Sequence, residues 1–525
     1  MGSPGLLLTG GLVADGSGAS EPYPADVLLR GGRIEAVIKR NEPGEQHPHR
    51  AGSLRRLDCT GALVSPGFID IHAHSDLTWL STPDCPSRVT QGITTEVGGN
   101  CGMSPAPRDP GDPGFRPAIS VIDQDPDAPL DFAGFGEYLD VLAAHQATVN
   151  LVPLVGHGSA RQTAMFREPG GDPRETVASL VREALACGAW GTSLGLMYAP
   201  GEAADPDELV AVARQTAAAG ALLAVHMRDY AAASVAASVQ EMCTLQVRTG
   251  VRLELSHLRA IRADSMSVIE DCLGRLDAAG AQATADAYPY TAGMTTLFQL
   301  LPPADRRHGI TRFLGALPAG RARYAAGVAA NGAGPGDIVV VRVRAPRDAA
   351  LVGRTLADCA SELGLPWAEL AVDLLWRSEG YVDVVVFGSK LDEQRRILAH
   401  DKVMIGSDGF SLSADYPAAT HPRAFGAFPK ALRLLVDSGL PWERAIAKAT
   451  GEPAAKLGLA GRGELRPGAH ADVTVFDPAE LADQATYTEP LRPATGVRHV
   501  LVAGVPVLED GHQTGSRPGR VLLRT

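Results

Sequence analysis

The stretch Ser65-Pro66-Gly67-Phe68-Ile69-Asp70-Ile71-His72-Ala73-His74 decides how this chain is read. Its apolar centre, 68–71, follows a Pro-Gly punctuation and has the length and character of a buried strand. Residues two apart on a strand point to one face, so His72 and His74 present two imidazoles together. Borderline-soft divalent metals such as zinc favour imidazole. A lone His-x-His is a weak motif, which two ordinary polar residues would also produce. Asp70, just upstream, is available to orient a ligand from behind.

Seven further apolar runs lie at 93–97, 149–155, 191–196, 222–225, 252–255, 282–286 and 403–405, with helical, Ala-rich stretches among them. That alternation is the signature of a parallel α/β fold. Eight parallel strands close a (β/α)8 TIM barrel, with active sites at the C-terminal strand ends. His72, Cys101, His157, Tyr198, His226, His257, Tyr288 and Asp408 all fall at or just after those ends. Between the seventh and eighth runs stand strand-like segments at 338–343 and 382–387 and a helix at 354–363. Part of this gap, about 292–350, reads as a lid-like insertion.

Both chain ends have a different texture. Short strands are expected at 6–13, 26–30 and 33–38, and again at 472–476 and 499–503. They suggest one small β-sandwich domain built from 1–64 and 462–525, around a hydrolase barrel at 65–461.

The 525 residues suit one large barrel plus an accessory domain, and 45% hydrophobic with 21% charged residues reads as globular. A net charge of −12 invites neither nucleic acid nor an anionic membrane. No apolar run reaches bilayer length, and the apolar stretch 5–8 lacks the basic region of a signal peptide. Seven cysteines without a Cys-x-x-Cys pair point to a reducing cytoplasm rather than a disulfide framework. The expected partner is a small-molecule substrate.

Other candidate ligands gather at the strand ends. Cys101 sits in Gly98-Gly99-Asn100-Cys101-Gly102, where glycines let the backbone approach closely and expose the thiol. Taken alone it is equally a zinc thiolate or an inert buried thiol, the fate expected of Cys59, Cys187, Cys243, Cys272 and Cys359. His226 and His257 end consecutive strands and are neighbours in a barrel. Asp408, in Gly406-Ser407-Asp408-Gly409, is placed to bind metal and to take a proton from water. His157 could line the pocket. His47, His49, His145, His308, His400, His470, His499 and His512 read as peripheral.

At these residues the chain resembles the amidohydrolase superfamily, and more narrowly the N-acyl-D-amino-acid deacylases (D-aminoacylases). Many superfamily members bridge two metals with a carboxylated lysine after the fourth strand. Here that segment is Gly191-Thr192-Ser193-Leu194-Gly195-Leu196, and the lysines are Lys39, Lys390, Lys402, Lys430, Lys448 and Lys456. D-aminoacylases are similar in lacking that lysine and use a cysteine after the second strand, which Gly98–Gly102 matches. The likeness continues in order through Ser193–Gly201, His226-Met227-Arg228, Ser256-His257-Leu258, Ala287–Gly293, Ser407-Asp408-Gly409 and His421-Pro422-Arg423.

The resemblance implies one tight Zn2+ on Cys101, His226 and His257, and a second, weaker position on His72, His74 and Asp408. It makes Asp408 the group that activates water and protonates the leaving nitrogen, and Tyr198 a hydrogen-bond donor to the scissile carbonyl. Arg423 would hold the substrate α-carboxylate, since its planar fork pairs a carboxylate with two bonds. A tyrosine of Tyr288-Pro289-Tyr290 would assist, Tyr290 before Tyr288. The chain departs from the family around the pocket. Arg259 replaces the usual lysine, Asp229 is followed by Tyr230 where an acidic residue is usual, and Ala304-Asp305 stands where a tryptophan is typical. These changes leave the side-chain and acyl preference open. A cyclic amide hydrolase of the hydantoinase or dihydroorotase kind, a D-residue dipeptidase and a non-enzymatic zinc scaffold are the competing readings. The missing lysine argues against the first, and the open metal position against the last.

Overall fold

Parallel pairing begins at the strand carrying the His-x-His motif. Phe68–Asp70 pairs with Ile93–Gly98, which pairs with Asn150–Pro153. One residue on, Val155–Gly156 opens a six-stranded parallel sheet. It runs in order through Gly191–Gly195, Leu222–His226, Arg252–Leu255, Ala283–Ala287 and Val403–Ile405. A parallel bridge between Ala73 and Gly409 joins the ends of the first and last of these strands. The computed structural model describes residues 5–40, 54–125, 128–263 and 266–524. His47 and His49 lie outside them.

All eight expected runs are strands. They are legible because a strand buried on both faces is rich in apolar and small residues. The run at 149–155 is divided by Leu154 into two short strands, one pairing to each side. Helices connect the strands where the local chemistry permits. Asp205 caps Pro206–Ala218 by accepting from the amides of Asp207 and Glu208, and Pro206 needs no donor at the first helical position. Gly250, at φ 72°, takes the left-handed turn that ends Val235–Thr249 and releases the chain into the next strand.

Both chain ends enter one ten-stranded sheet, where Val473–Phe476 pairs antiparallel with Leu63–Pro66. Arg55–Asp58, Leu63–Pro66 and Val505–Glu509 are strands the sequence did not announce. Arg55–Asp58 shows why: three of its four side chains are charged and exposed, and only Leu57 is buried.

The inserted segment runs further than 350. Val382–Phe387 is the middle strand of a three-stranded antiparallel sheet, flanked by Ala292–Thr296 and Ile338–Val343. A separate apolar cluster from Leu297 to Val384 packs against it, so the unit extends to about 387. The expected helix at 354–363 is Leu356–Leu363, capped by Thr355. Among the described residues, no helix is long and apolar enough to cross a membrane.

Candidate metal centre

Four buried residues from distant parts of the chain offer ligand atoms that all lie within 4.8 Å of one another: His72, Cys101, His257 and Asp408. Cys101 Sγ is 3.5 Å from His72 Nε2 and 3.4 Å from His257 Nε2. Asp408 Oδ1 lies 3.5 Å from His72 Nε2 and 2.9 Å from His74 Nε2. The His226 ring stands 4.6 Å from that of His257, with its Nε2 3.5 Å from Met197 Sδ. The group thus draws members from both of the expected ligand sets, with His74 and His226 beside it.

Three of the four hold strained backbone. Cys101, His257 and Asp408 have φ of 55°, 38° and 52°, in the left-handed region that few residues other than glycine adopt, His and Asp more readily than Cys. Such strain persists only where the surroundings over-determine it. A Cβ on Gly195 would sit against the Cys101 carbonyl, so the glycine of the fourth strand lets the thiol loop close over it.

The groups around the ligands fix their orientation. Asp286 faces His72 Nδ1 at 3.2 Å with one oxygen and accepts from the His257 amide at 2.8 Å with the other. Asp70, expected to orient a ligand, does so through the backbone: it accepts from the amides of His72 and Ser407, and its other oxygen faces fully buried Arg88. The ring-orienting carboxylate is Asp286. Its signal was a lone acid inside the apolar strand Ala283–Ala287. Asp286→Asn is expected to weaken zinc affinity between about 10- and 100-fold, as other outer partners of metal ligands do. Competitive zinc titration checks it, and unchanged affinity would sever Asp286 from the centre.

Burial alone would raise the Cys101 thiol. The imidazoles of His72, His226, His257 and His74 override it and hold the thiol well below its ordinary value. Burial pushes Cys59, Cys85 and Cys272 up to about 12 and Cys243 to about 11. Cys187, expected to be buried, is exposed. Burial likewise opposes ionisation of Asp408, but Arg423, with His257, His74 and His72, holds its carboxyl well below the carboxylate range. Burial lowers His226 to about 4, leaving a neutral imidazole that can donate a lone pair.

The donor set fits a divalent metal. Imidazole, thiolate and carboxylate together suit zinc. The buried Nδ1 atoms of His74, His226 and His257 have no hydrogen-bond partner among the described residues. His157 is not among the ligands: its Nε2 lies 2.7 Å from Glu208, which Arg161 also binds.

Arg423 Nη1 lies 2.5 Å from Asp408 Oδ2, and its guanidinium stands 5.0 Å from the centre of the Tyr288 ring. Arg259 donates to the Tyr288 hydroxyl at 2.6 Å. The Tyr290 hydroxyl faces the Pro422 carbonyl and Asp483, each at 3.5 Å. The structure therefore puts Tyr288, and not Tyr290, beside the arginines. Tyr198, Arg259 and His226 line a cavity of about 180 Å³, walled on its other side by Gly293, Met294 and Leu300 of the inserted segment.

Residues 55–333 and 380–508 match the amidohydrolase family. Over 99% of its length the chain is 35% identical to D-aminoacylase from Alcaligenes xylosoxydans xylosoxydans, covering 98% of that protein. The chain belongs to the amidohydrolase family, among the D-aminoacylases. This amidohydrolase is also similar to a solved N-acyl-D-glutamate deacylase from Bordetella bronchiseptica, complexed with zinc and a phosphonate mimic of the tetrahedral intermediate. The TM-score is 0.81 at 33% identity, with 99% of each chain covered. A solved D-aminoacylase with a binuclear metal centre matches with a TM-score of 0.80 at 33% identity, again over 99% of each chain.

Proposed function

We propose that this amidohydrolase cleaves the linear amide bond of N-acyl-D-amino acids, giving a D-amino acid and a carboxylic acid. The observation that carries the proposal is the buried Cys101–His72–His257–Asp408 group with Arg423 directly against Asp408. Zinc bound there supplies a Lewis acid for the substrate carbonyl and a nucleophile at neutral pH.

Cys101, His226 and His257 would hold zinc at the tight position, and His72, His74 and Asp408 at the weaker one. The short His72–Cys101 and His72–Asp408 distances support the two being adjacent. Asp408 accepts the proton of the attacking water on its carboxylate and passes it to the leaving nitrogen. Tyr198 donates to the carbonyl oxygen as charge develops there. Arg423 binds the substrate α-carboxylate, with Tyr288 at its face. Arg259 adds a second cation to the cavity beside His226, a feature that supports an acidic or carbonyl-rich group on the substrate. Arg423→Lys, which keeps the charge and loses the fork, is expected to raise KM about tenfold or more with a smaller change in kcat. Steady-state kinetics separate the two, and an unchanged KM would remove Arg423 from carboxylate binding.

The same proposal takes the eight parallel strands as one closed (β/α)8 barrel over 65–461. The Ala73–Gly409 bridge and the one-residue step at Leu154 support it. Residues 1–64 and 462–525 form the accompanying β domain, and the unit from 292 to about 387 serves as the lid. The deciding experiment incubates the zinc-loaded enzyme with a racemic mixture of N-acetyl amino acids. Only D-amino acids are expected to be released; release of both enantiomers at equal rates would overturn the proposal.

A further inference from the structure

A second built cavity lies at the opposite ends of the strands from the metal-ligating group. It encloses about 730 Å³, and its walls include Asn150, Trp190, Gly220 and Arg252 at the beginnings of four parallel strands. Arg252 opens the strand that ends at Leu255, and His257 follows two residues later. At a rise of about 3.3 Å per residue, cavity and metal ligands are on the order of 15 Å apart.

The cavity concentrates positive charge in a negatively charged protein. The chain has 60 acidic against 48 basic residues, yet this lining holds Arg33, Arg252, Arg462, Arg520, Arg524 and His470 and no acidic residue. These arginines come from four places that only the fold unites: the Gly31–Gly32 hairpin, a strand beginning, the turn after the helix Gly451–Leu457 and residues 520–524. Arg462 is bonded to Asp472, and Arg33 donates to the Gly468 carbonyl at 3.1 Å. Arg252, Arg520 and Arg524 make no side-chain hydrogen bond or ion pair among the described residues. Burial, then repulsion from Arg33 and Arg520, lowers Arg462 to about 10. Burial, then Arg462, Arg33 and Arg520, lowers His470 to about 4. Apart from the Arg462–Asp472 pair, the lining gives these cations no acidic partner.

We infer that this arginine-lined cavity binds a small organic phosphate. Guanidinium forks pair with phosphate oxygens through two parallel bonds, and several converging forks favour a dianion over a monoanion. The volume lies within the range of small-molecule sites and exceeds what a bare phosphate fills. Trp190, Leu457 and Leu459 supply an apolar wall for the remainder of the ligand. Trp190 is held in place by its Nε1 donating to the Leu522 carbonyl at 2.6 Å.

Isothermal titration of the zinc-loaded, full-length enzyme with phenyl phosphate tests this, with phenyl sulfate at matched ionic strength as the monoanionic control. Phenyl phosphate is expected to bind one per chain and at least tenfold more tightly than phenyl sulfate. The double substitution Arg252→Ala, Arg520→Ala is expected to weaken it at least tenfold while deacylase turnover stays unchanged. Arg520→Gln, at an exposed side chain without a partner, gives the same readout should the double variant be unstable. Equal affinity for the two ligands, or phosphate binding that survives these substitutions in a folded protein, would overturn the inference.

Discussion

Asp408→Asn is expected to keep its zinc and lose turnover, by between about 10²- and 10⁴-fold in kcat, the contribution of a positioned acid–base group. The replacement is chosen on physical grounds. Asn has the shape of Asp and tolerates the left-handed φ of 52° that this position holds. Its amide oxygen can still face His74, at the 2.9 Å now spanned by the carboxylate. What is lost is a negative, proton-accepting oxygen. In the native site Arg423, His257, His74 and His72 hold that oxygen ionised despite burial. Cys101, His226 and His257 remain to hold metal. Zinc per chain, measured beside kcat, separates a chemical defect from metal loss. A folded, zinc-loaded variant with near-normal turnover would remove Asp408 from the reaction.

That carboxylate was visible in the sequence as the residue closing the eighth apolar run, and most of the centre was legible in the same way. Buried parallel strands are short and mostly apolar or small-residue, so their ends can be counted, and His72, His226, His257 and Asp408 fall at or just after them. Three kinds of information were not local. Backbone strain was one: no pattern marks Cys101, His257 and Asp408 as left-handed. Alternation was another. Tyr288 and Tyr290 are two apart, but the strand ends at Ala287 and Pro289 breaks the period, so the two hydroxyls face different partners. Buried polar pairing was the third. Arg88 belongs to none of the sequence motifs, yet it is fully buried, with Nη1 3.3 Å from Asp70 and 3.0 Å from the Ser407 hydroxyl. Its partners are 18 and 319 residues away in sequence. The arginine-lined cavity depends on the same kind of assembly, and His470, peripheral in sequence, is part of it.

Cys101→Ala carries the second large expected effect, because it separates the two meanings that a buried cysteine can have. Were Cys101 only a small core hydrophobe, removing its sulfur would cost about 1 kcal/mol, the scale of one buried methylene group, and turnover would persist. As a metal ligand it is expected to behave otherwise. Zinc per chain after dialysis should fall below about a tenth of the native value, with turnover falling in proportion. Metal that binds the folded state alone stabilises it by about 4 kcal/mol at a thousand times its Kd. The variant should therefore melt earlier, and its Tm should cease to respond to added zinc. Cys59→Ala and Cys243→Ala are the matched controls. Their thiols are buried too, but burial pushes them up to about 12 and about 11, whereas the four imidazoles draw Cys101 down. Both controls should retain zinc and turnover. Native zinc content in Cys101→Ala would move the tight metal position off the thiol and onto the histidines alone.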